Sequence, residues 1–360
     1  MSISDERYKQ VLVQPTLSIR EALKQMDRSA LQVLFVVNDE NLLLGVVTDG
    51  DIRRAVINNI DFSRPISSIM NTTPITASPQ SKRRALSIMR QYGIKHLPIV
   101  NAKKQITGLF LLSDFLQDGE SIYPKRSTPV VIMAGGKGTR LDPFTKILPK
   151  PLIPVNNKPI IEVIMDKFSH YGLNNFVVTV NYKAELIKMF FLENGGDYRV
   201  EFIDETEYLG TAGGLSLAKD RLHETFVLSN CDVITDANID DLLDYHKSNN
   251  NMATILAILR YIKIPYGVLR TQDGNLEEII EKPEQHFIIN SGIYVLEPEI
   301  LQLIPNNQPV DMPDLLMEAK RKGLKVQIYP VSASWFDIGE WGEYQRAVKL
   351  INEGEYSFAG

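Results

Sequence analysis

At 360 residues the chain is long enough for more than one hydrophobic core, and the length prior favours two or more domains. Its formal net charge is −5 with lysines and arginines scattered along the chain, which excludes the clustered cations of a generic DNA- or RNA-binding surface. The single Cys231 excludes an intrachain disulfide framework, and no apolar run approaches the roughly 20 residues of a bilayer span. No cationic start precedes an apolar core at the amino end, so the expectation is a cytoplasmic protein with no membrane or nucleic-acid partner.

The first third contains an internal repeat. Ala22-Leu23, Met26, Leu34, Val36-Val37-Asn38, Gly45 and Asp51 recur, each 63 positions on, as Ala85-Leu86, Met89, Leu97, Ile99-Val100-Asn101, Gly108 and Asp114. Each unit reads helix, strand, strand, helix. In the first, Ser18 caps a helix over Ile19–Met26, strands follow at Val33–Val37 and Leu42–Val47 around a turn at Asn38–Asn41, and Asp49–Asn58 closes the unit. The second repeats this at Ser81–Arg90, Leu97–Val100 and Ile106–Leu112. A short unit with one apolar sheet face cannot complete its own core, so the two are expected to pack face to face.

The strings Leu44-Gly45-Val46-Val47-Thr48-Asp49-Gly50-Asp51-Ile52-Arg53 and Thr107-Gly108-Leu109-Phe110-Leu111-Leu112-Ser113-Asp114 resemble those of paired cystathionine-β-synthase (CBS) domains, a Bateman module. The resemblance implies an adenine-nucleotide site, with Thr48 near phosphate and Asp51 and Asp114 on ribose. Leu111 stands where the first unit has Thr48, a departure from the pattern. Thr48 and Asp51 are equally suited to capping the helix that starts there. Such modules also suggest a homo-oligomer. The polar segment Ser121–Pro129, with two prolines, reads as a linker. The expected organisation is therefore CBS units at 1–62 and 63–120, a linker at 121–128 and a second domain at 129–352.

From Val130 onward short apolar strands alternate with helical patterns. Val130–Met133, Phe176–Asn181, Val200–Ile203 and Phe226–Ser229 read as strands, with amphipathic segments at Pro159–His170, Ala184–Leu192 and Gly214–Lys219. This is the rhythm of crossover-connected parallel strands. Thr254–Leu259, Gly267–Leu269, Leu276–Glu281, Gly292–Leu296 and Val326–Tyr329 extend it to a mixed sheet. The fold class is α/β, a tandem CBS module followed by a Rossmann-like domain.

The first of those strands stops at Gly135-Gly136-Lys137-Gly138-Thr139-Arg140, and Lys146 and Lys150 follow among prolines. Bare backbone N–H groups beside cationic side chains at a strand end make a place for polyphosphate. The loop is neither Gly-x-Gly-x-x-Gly nor a Walker P-loop. Asp232 stands just after another strand, where an open parallel sheet places ligands, and its carboxylate suits a hard divalent cation or a helix cap. Neighbouring Cys231 reads as a small filler or as a thiol nucleophile. The five histidines have no metal-ligand spacing.

Met133-Ala134-Gly135-Gly136-x-Gly138-Thr139-Arg140-Leu141-x-Pro143-Phe144-Thr145 and Pro149-Lys150-Pro151-Leu152 resemble the signature of sugar-1-phosphate nucleotidyltransferases. Leu209–Gly214, Asn230-Cys231-Asp232, Glu281-Lys282-Pro283, Asn290-Ser291-Gly292 and Trp335–Gly339 follow in the family's order, so the resemblance covers about Val130–Leu350. It implies a reaction of NTP with sugar 1-phosphate, giving NDP-sugar and pyrophosphate. Ala134, Gly135, Gly136, Gly138, Thr139 and Gly213 would bind nucleotide, and Arg140 and Lys150 would grip the triphosphate. Asp232 and Asp337 would hold Mg²⁺. Thr211, Gly267, Glu281, Lys282 and Asn290 would face the sugar phosphate.

The Thr-Ala-Gly core of Leu209–Gly214 resembles the guanylyl and glucose-type uridylyl branches more than the thymidylyl branch. Joined to a CBS pair, the domain resembles the glucosamine-1-phosphate guanylyltransferases of legionaminic acid synthesis. This favours GTP and glucosamine 1-phosphate. UTP or dTTP, mannose- or heptose-like sugars, and a catalytically degenerate nucleotide sensor are the alternatives.

Overall fold

A computed structural model of the chain describes residues 6–29, 31–115, 123, 125–194 and 198–352. The described residues up to 115, with 330–332, form one compact unit, and the others form a second. The expected linker includes positions 121, 122 and 124, which lie outside the described residues.

The first unit bears out the repeat. Ser18 starts the helix Ile19–Ser29: its hydroxyl accepts from the Glu21 N–H at 3.2 Å and its own N–H donates to Glu21 Oε2 at 3.4 Å, a capping box. Ile19, Ala22, Leu23 and Met26 fall on one helical face and are buried. The strands Val33–Val37 and Leu43–Thr48 pair antiparallel, as do His96–Val100 and Ile106–Leu111. Register shifts occur at equivalent places, Val36/Val37 and Ile99/Val100.

The hairpin turns are equivalent too. Asn38 Oδ1 accepts from the N–H groups of Glu40 and Leu42, and Asn101 Oδ1 from those of Lys103 and Gln105. The turns then bond to each other, Leu43 N–H to the Lys104 carbonyl at 3.1 Å and Ile106 N–H to the Asn41 carbonyl at 3.0 Å. The two hairpins thus join at their turns through backbone.

The second unit is built on a seven-stranded mixed sheet, in the order Arg199–Asp204, Asn175–Val180, Val130–Met133, Phe226–Asn230, Glu284–Leu296, Ala253–Lys263, Val326–Val331. The first four strands run parallel, and Glu284–Leu296 pairs antiparallel on both sides. Three of the parallel strands, Val130–Met133, Asn175–Val180 and Phe226–Asn230, are branched and nearly all buried, as two-face coverage requires, whereas the edge strand Arg199–Asp204 buries only Ile203. The helix Ile160–His170 buries Ile160, Ile161, Val163, Ile164, Met165 and Phe168.

Two expectations need correction. Val268–Gln272 and Asn275–Ile280 form a separate exposed two-stranded hairpin rather than joining the main sheet. Their apolar residues had suggested sheet strands, yet Leu269, Leu276 and Ile279 are exposed. Gly214–Lys219 is not an amphipathic α-helix: Gly210–Gly213 is one short helical turn and Gly214–Ala218 is 3₁₀. Backbone bonds from Ala212 and Gly213 to the Val310 carbonyl hold that turn against a neighbouring segment, so packing rather than helical period decides it.

Candidate active site

Val130–Met133 is the first strand of its sheet in sequence, and the chain then adds strands on both of its sides. Its carboxyl end is therefore a topological switch point, where the loops diverge and leave a crevice. A cavity of about 520 Å³ lies there, lined by the glycine loop, Lys150, Glu205, Tyr208, Thr211 and Asn230–Asp232. Gly138 adopts φ 67°, and a Cβ there would stand 2.9 Å from Lys150 Cβ, so only glycine lets the loop close over the lysine stem.

A charge cluster reaches the cavity wall through Lys150 and Asp232, and includes Asp337, which does not itself line the cavity. The Lys150 ammonium donates to Asp232 Oδ2 in a buried ion pair. Burial works against the Lys150 charge, but Asp232, Cys231 and Asp337 outweigh it and raise the lysine pKa. Asp337 ends the strand Trp335–Asp337, which pairs with Val233–Thr235 and so sets its carboxylate beside Asp232. A Cβ on Gly339 would lie 2.5 Å from Lys150 Nζ and 2.8 Å from both Asp232 Oδ2 and Asp337 Oδ1. Three charged groups thus converge on a point that a side chain would fill. Burial, then the Asp232 charge, raises the Asp337 pKa.

Two facing carboxylates that repel one another fit a hard divalent cation. Among the described residues no group of three or more His, Cys, Asp or Glu side chains is placed to hold a metal, so phosphate and water oxygens would have to complete the shell. Cys231 is buried, and burial pushes its thiol up to about 12. It is a filler at the strand end, not a thiolate.

Glu205 forms another wall. It follows the strand Arg199–Asp204 and is 5% exposed, and its Oε2 has no hydrogen-bond partner. A Cβ on Gly135 would meet that oxygen at 3.1 Å, and one on Gly214 would meet Oε1 at 2.6 Å. Burial raises the Glu205 pKa, opposed by hydrogen bonds from Thr179 and the Leu209 N–H. Reasoning from sequence missed this residue, although its place at the carboxyl end of a parallel strand was the available signal.

The structure brings Gly135, Gly136, Gly138, Thr139, Arg140, Lys150, Thr211 and Asp232 to the cavity wall. Ala134 is buried just behind it, its N–H bonded to the Thr179 carbonyl. Gly213 does not line the cavity, because the space a Cβ would take is filled by the Gln308 carbonyl at 2.7 Å. Thr211 is already engaged: its hydroxyl donates to Asp311 Oδ1 at 3.2 Å and accepts from Met312 N–H at 2.9 Å. Gly267, Glu281, Lys282 and Asn290 also fall outside the lining. A Cβ on Gly267 would stand 3.0 Å from Glu281 Oε1, Lys282 is exposed, and the Asn290 amide donates to Tyr294 Oη at 2.7 Å.

A family model described as nucleotidyl transferase matches residues 129–354, and one described as CBS domain matches 7–58 and 66–119. The chain belongs to the nucleotidyl transferase family. A mannose-1-phosphate guanylyltransferase of Arabidopsis thaliana is 33% identical over 231 residues, 61% of this chain and 63% of that protein. The chain therefore matches less than two thirds of that relative's length. A probable glucose-1-phosphate cytidylyltransferase of Bacillus subtilis is 30% identical over 62% of this chain and 96% of its own. Among solved structures, HddC from Yersinia pseudotuberculosis complexed with GMP-PN is 26% identical with a TM-score of 0.50, covering 62% of this chain and 99% of that one.

In the CBS module of this nucleotidyl transferase, both oxygens of the Asp51 carboxylate are hydrogen-bonded. Its Oδ2 accepts from the Thr48 N–H and hydroxyl, both at 2.8 Å, and Oδ1 accepts from Arg54. Asp114 is its repeat equivalent: Oδ2 accepts from Leu111 N–H at 3.0 Å, and Arg7 donates to Oδ1 at 3.0 Å. Leu111 keeps the backbone donor and loses the hydroxyl. No described helix is long and apolar enough to cross a membrane.

Proposed function

We propose that the chain transfers a nucleoside monophosphate from GTP to a hexose 1-phosphate, glucosamine 1-phosphate in our reading, releasing pyrophosphate. Membership of the family supports the reaction class. The observation that carries guanine is the open oxygen of Glu205. An ionised carboxylate only accepts hydrogen bonds. Guanine presents two adjacent donors, N1–H and the 2-amino group. Uracil and thymine flank their one ring donor with carbonyls, and cytosine sets its amino group beside an acceptor. Only guanine answers a carboxylate with two donors.

In the reaction a phosphate oxygen of the sugar attacks the α-phosphorus, the bond to the bridging oxygen breaks, and pyrophosphate leaves. The nucleophile is already anionic, so the residues need only align and neutralise. The glycine-loop N–H groups cradle phosphate, and Arg140 and Lys150 spread over the triphosphate charge. Lys150 must exchange part of its hold on Asp232 for phosphate. Lys282 and Glu281 take the sugar phosphate and a sugar hydroxyl. Asp232 and Asp337 would hold Mg²⁺, which supplies charge compensation at the α-phosphate when bound. An adenine nucleotide at the CBS pair would donate a ribose hydroxyl to the Asp51 oxygen that already accepts from Arg54.

The test is pyrophosphate release by the full chain with Mg²⁺, glucosamine 1-phosphate and each of GTP, UTP, dTTP and CTP, repeated with mannose 1-phosphate and a heptose 1-phosphate. GTP is expected to be turned over fastest. A preference for UTP, dTTP or CTP would overturn the guanine reading, and absence of release with every pair would overturn the reaction.

A further inference from the structure

Arg140 is an exposed cation on the cavity wall, and it is not free. Its Nη1 donates to Glu340 Oε1 at 2.5 Å, across 200 positions of sequence. Glu340 lies three residues beyond Asp337 and does not line the cavity. It starts the last described helix, Trp341–Asn352: its carbonyl accepts from Tyr344 N–H at 2.9 Å, and its own N–H donates to the Asp337 carbonyl at 3.3 Å.

A second contact joins the same two segments. The Phe144 ring stacks on Trp341 with centroids 5.3 Å apart and planes at 17°, and Trp341 stacks on Tyr344 at 5.4 Å and 21°. The Tyr344 hydroxyl donates to the Pro154 carbonyl at 2.8 Å. These contacts pin the rim of the glycine loop against the start of the helix, which keeps Glu340 within reach of Arg140.

Resting on the nucleotidyltransferase reading, we propose that Glu340 is a positioning residue: it holds Arg140 at the rim of the free site and yields it to the β- and γ-phosphates of the incoming nucleotide. The pair suits such an exchange. Its side chains are 60% and 51% exposed, so the bond is weak and readily traded. Polyphosphate offers the guanidinium several charged oxygens and a two-pronged hydrogen bond, where Glu340 offers a single oxygen. When pyrophosphate leaves, Glu340 retakes the guanidinium and competes against rebinding of product. It therefore weakens nucleotide and pyrophosphate binding alike, and speeds release.

Calorimetric titration of the full chain with Mg²⁺ tests this, using GTP, inorganic pyrophosphate and GMP as probes. Glu340→Gln keeps the shape and removes the competing charge. It is expected to bind GTP and pyrophosphate about two- to fivefold more tightly, the size an exposed ion pair supports, with GMP unchanged and kcat no higher. Glu343→Gln, one turn along the helix, removes the same charge without touching Arg140 and is expected to change neither. Unchanged pyrophosphate affinity in Glu340→Gln would overturn the proposal, as would an equal gain in Glu343→Gln or for GMP. A tightened pyrophosphate with no GTP binding would leave Glu340 in its role and remove the guanine reading. Failure of wild-type protein to bind either would remove both.

Discussion

Asp51 and Glu205 are both buried carboxylates, 8% and 5% exposed, yet they are treated in opposite ways. Every oxygen of Asp51 is answered within one helical turn, by Thr48 and Arg54. Glu205 keeps one oxygen open on a cavity wall, with glycines on two sides making room for it. Buried polar groups are satisfied almost without exception, so one left open beside a cavity reads as reserved for a ligand. A satisfied one reads first as architecture. The Asp232–Asp337 pair belongs with Glu205, because two acids set side by side are stable only with a cation between or beside them.

The largest effect that sharpens this contrast is expected at Lys150. Lys150→Met removes the cation that now neutralises Asp232 and would later meet the triphosphate. Turnover is expected to fall about 10²- to 10³-fold, the usual cost of losing one preorganised charge at a reacting centre. Circular dichroism of the variant should still report the mixed α/β content. A loss below tenfold would move Lys150 from the reaction to the scaffold. Next in size is Glu205→Gln, which puts an amide donor where guanine offers donors. The GTP preference should shrink by roughly 1–3 kcal/mol, the range for one mispaired base edge. Steady-state kcat/KM for GTP against UTP measures it, and an unchanged ratio would leave Glu205 as a structural acid.

Much of this was legible in the chain and some was not, for physical reasons. The repeat was readable because a register of 63 holds through the Asn38 and Asn101 turns, whose side-chain bonds are local and so written in local sequence. The parallel strands were readable because burial on both faces demands unbroken apolar runs. The hairpin at Val268–Ile280 was misassigned to the main sheet because its leucines and isoleucines are exposed, and exposure is not a property of composition. Glu205 and Glu340 escaped because their meaning lies in distant partners: Gly135 and Gly214 for one, Arg140 for the other. Gly213 drew notice as a ligand glycine, while the Gln308 carbonyl turns out to occupy the space beside it.

A smaller effect is expected at the satisfied acid. Asp51→Ala removes the one oxygen that accepts from both the Thr48 N–H and hydroxyl, and should cost about 1–2 kcal/mol of stability, as lost helix caps do. Asp114→Ala gives up one backbone donor and Arg7, without the hydroxyl, and should cost less. Urea unfolding of the two variants measures the difference. Equal costs would mean that Thr48 contributes nothing through its hydroxyl, and the two repeats would then be energetically alike.

The smallest effect separates the units by pH. His96 in the second CBS repeat is half-buried, and burial, helped by the charge of Lys95, pulls its pKa down to about 4 from the ordinary 6.5. The folded state therefore keeps the ring neutral where the unfolded chain would protonate it. Its contribution is intact above pH 6.5 and is lost as pH falls from there toward 4, because the unfolded state binds the extra proton. Between pH 7 and pH 6 the loss should be about 0.5–1 kcal/mol. His246 in the transferase unit is also shifted downward by burial, with its ring bonded to Thr254 and opposed by Glu297, so wild-type protein alone cannot isolate one histidine. The informative quantity is the pH slope of unfolding free energy in wild type minus that in His96→Gln. A flatter slope in the variant assigns the difference to the CBS unit. Identical slopes would mean that His96 titrates in the folded chain as it does in water, and that this strand end is wetter than its neighbours Leu97 and Leu111 imply.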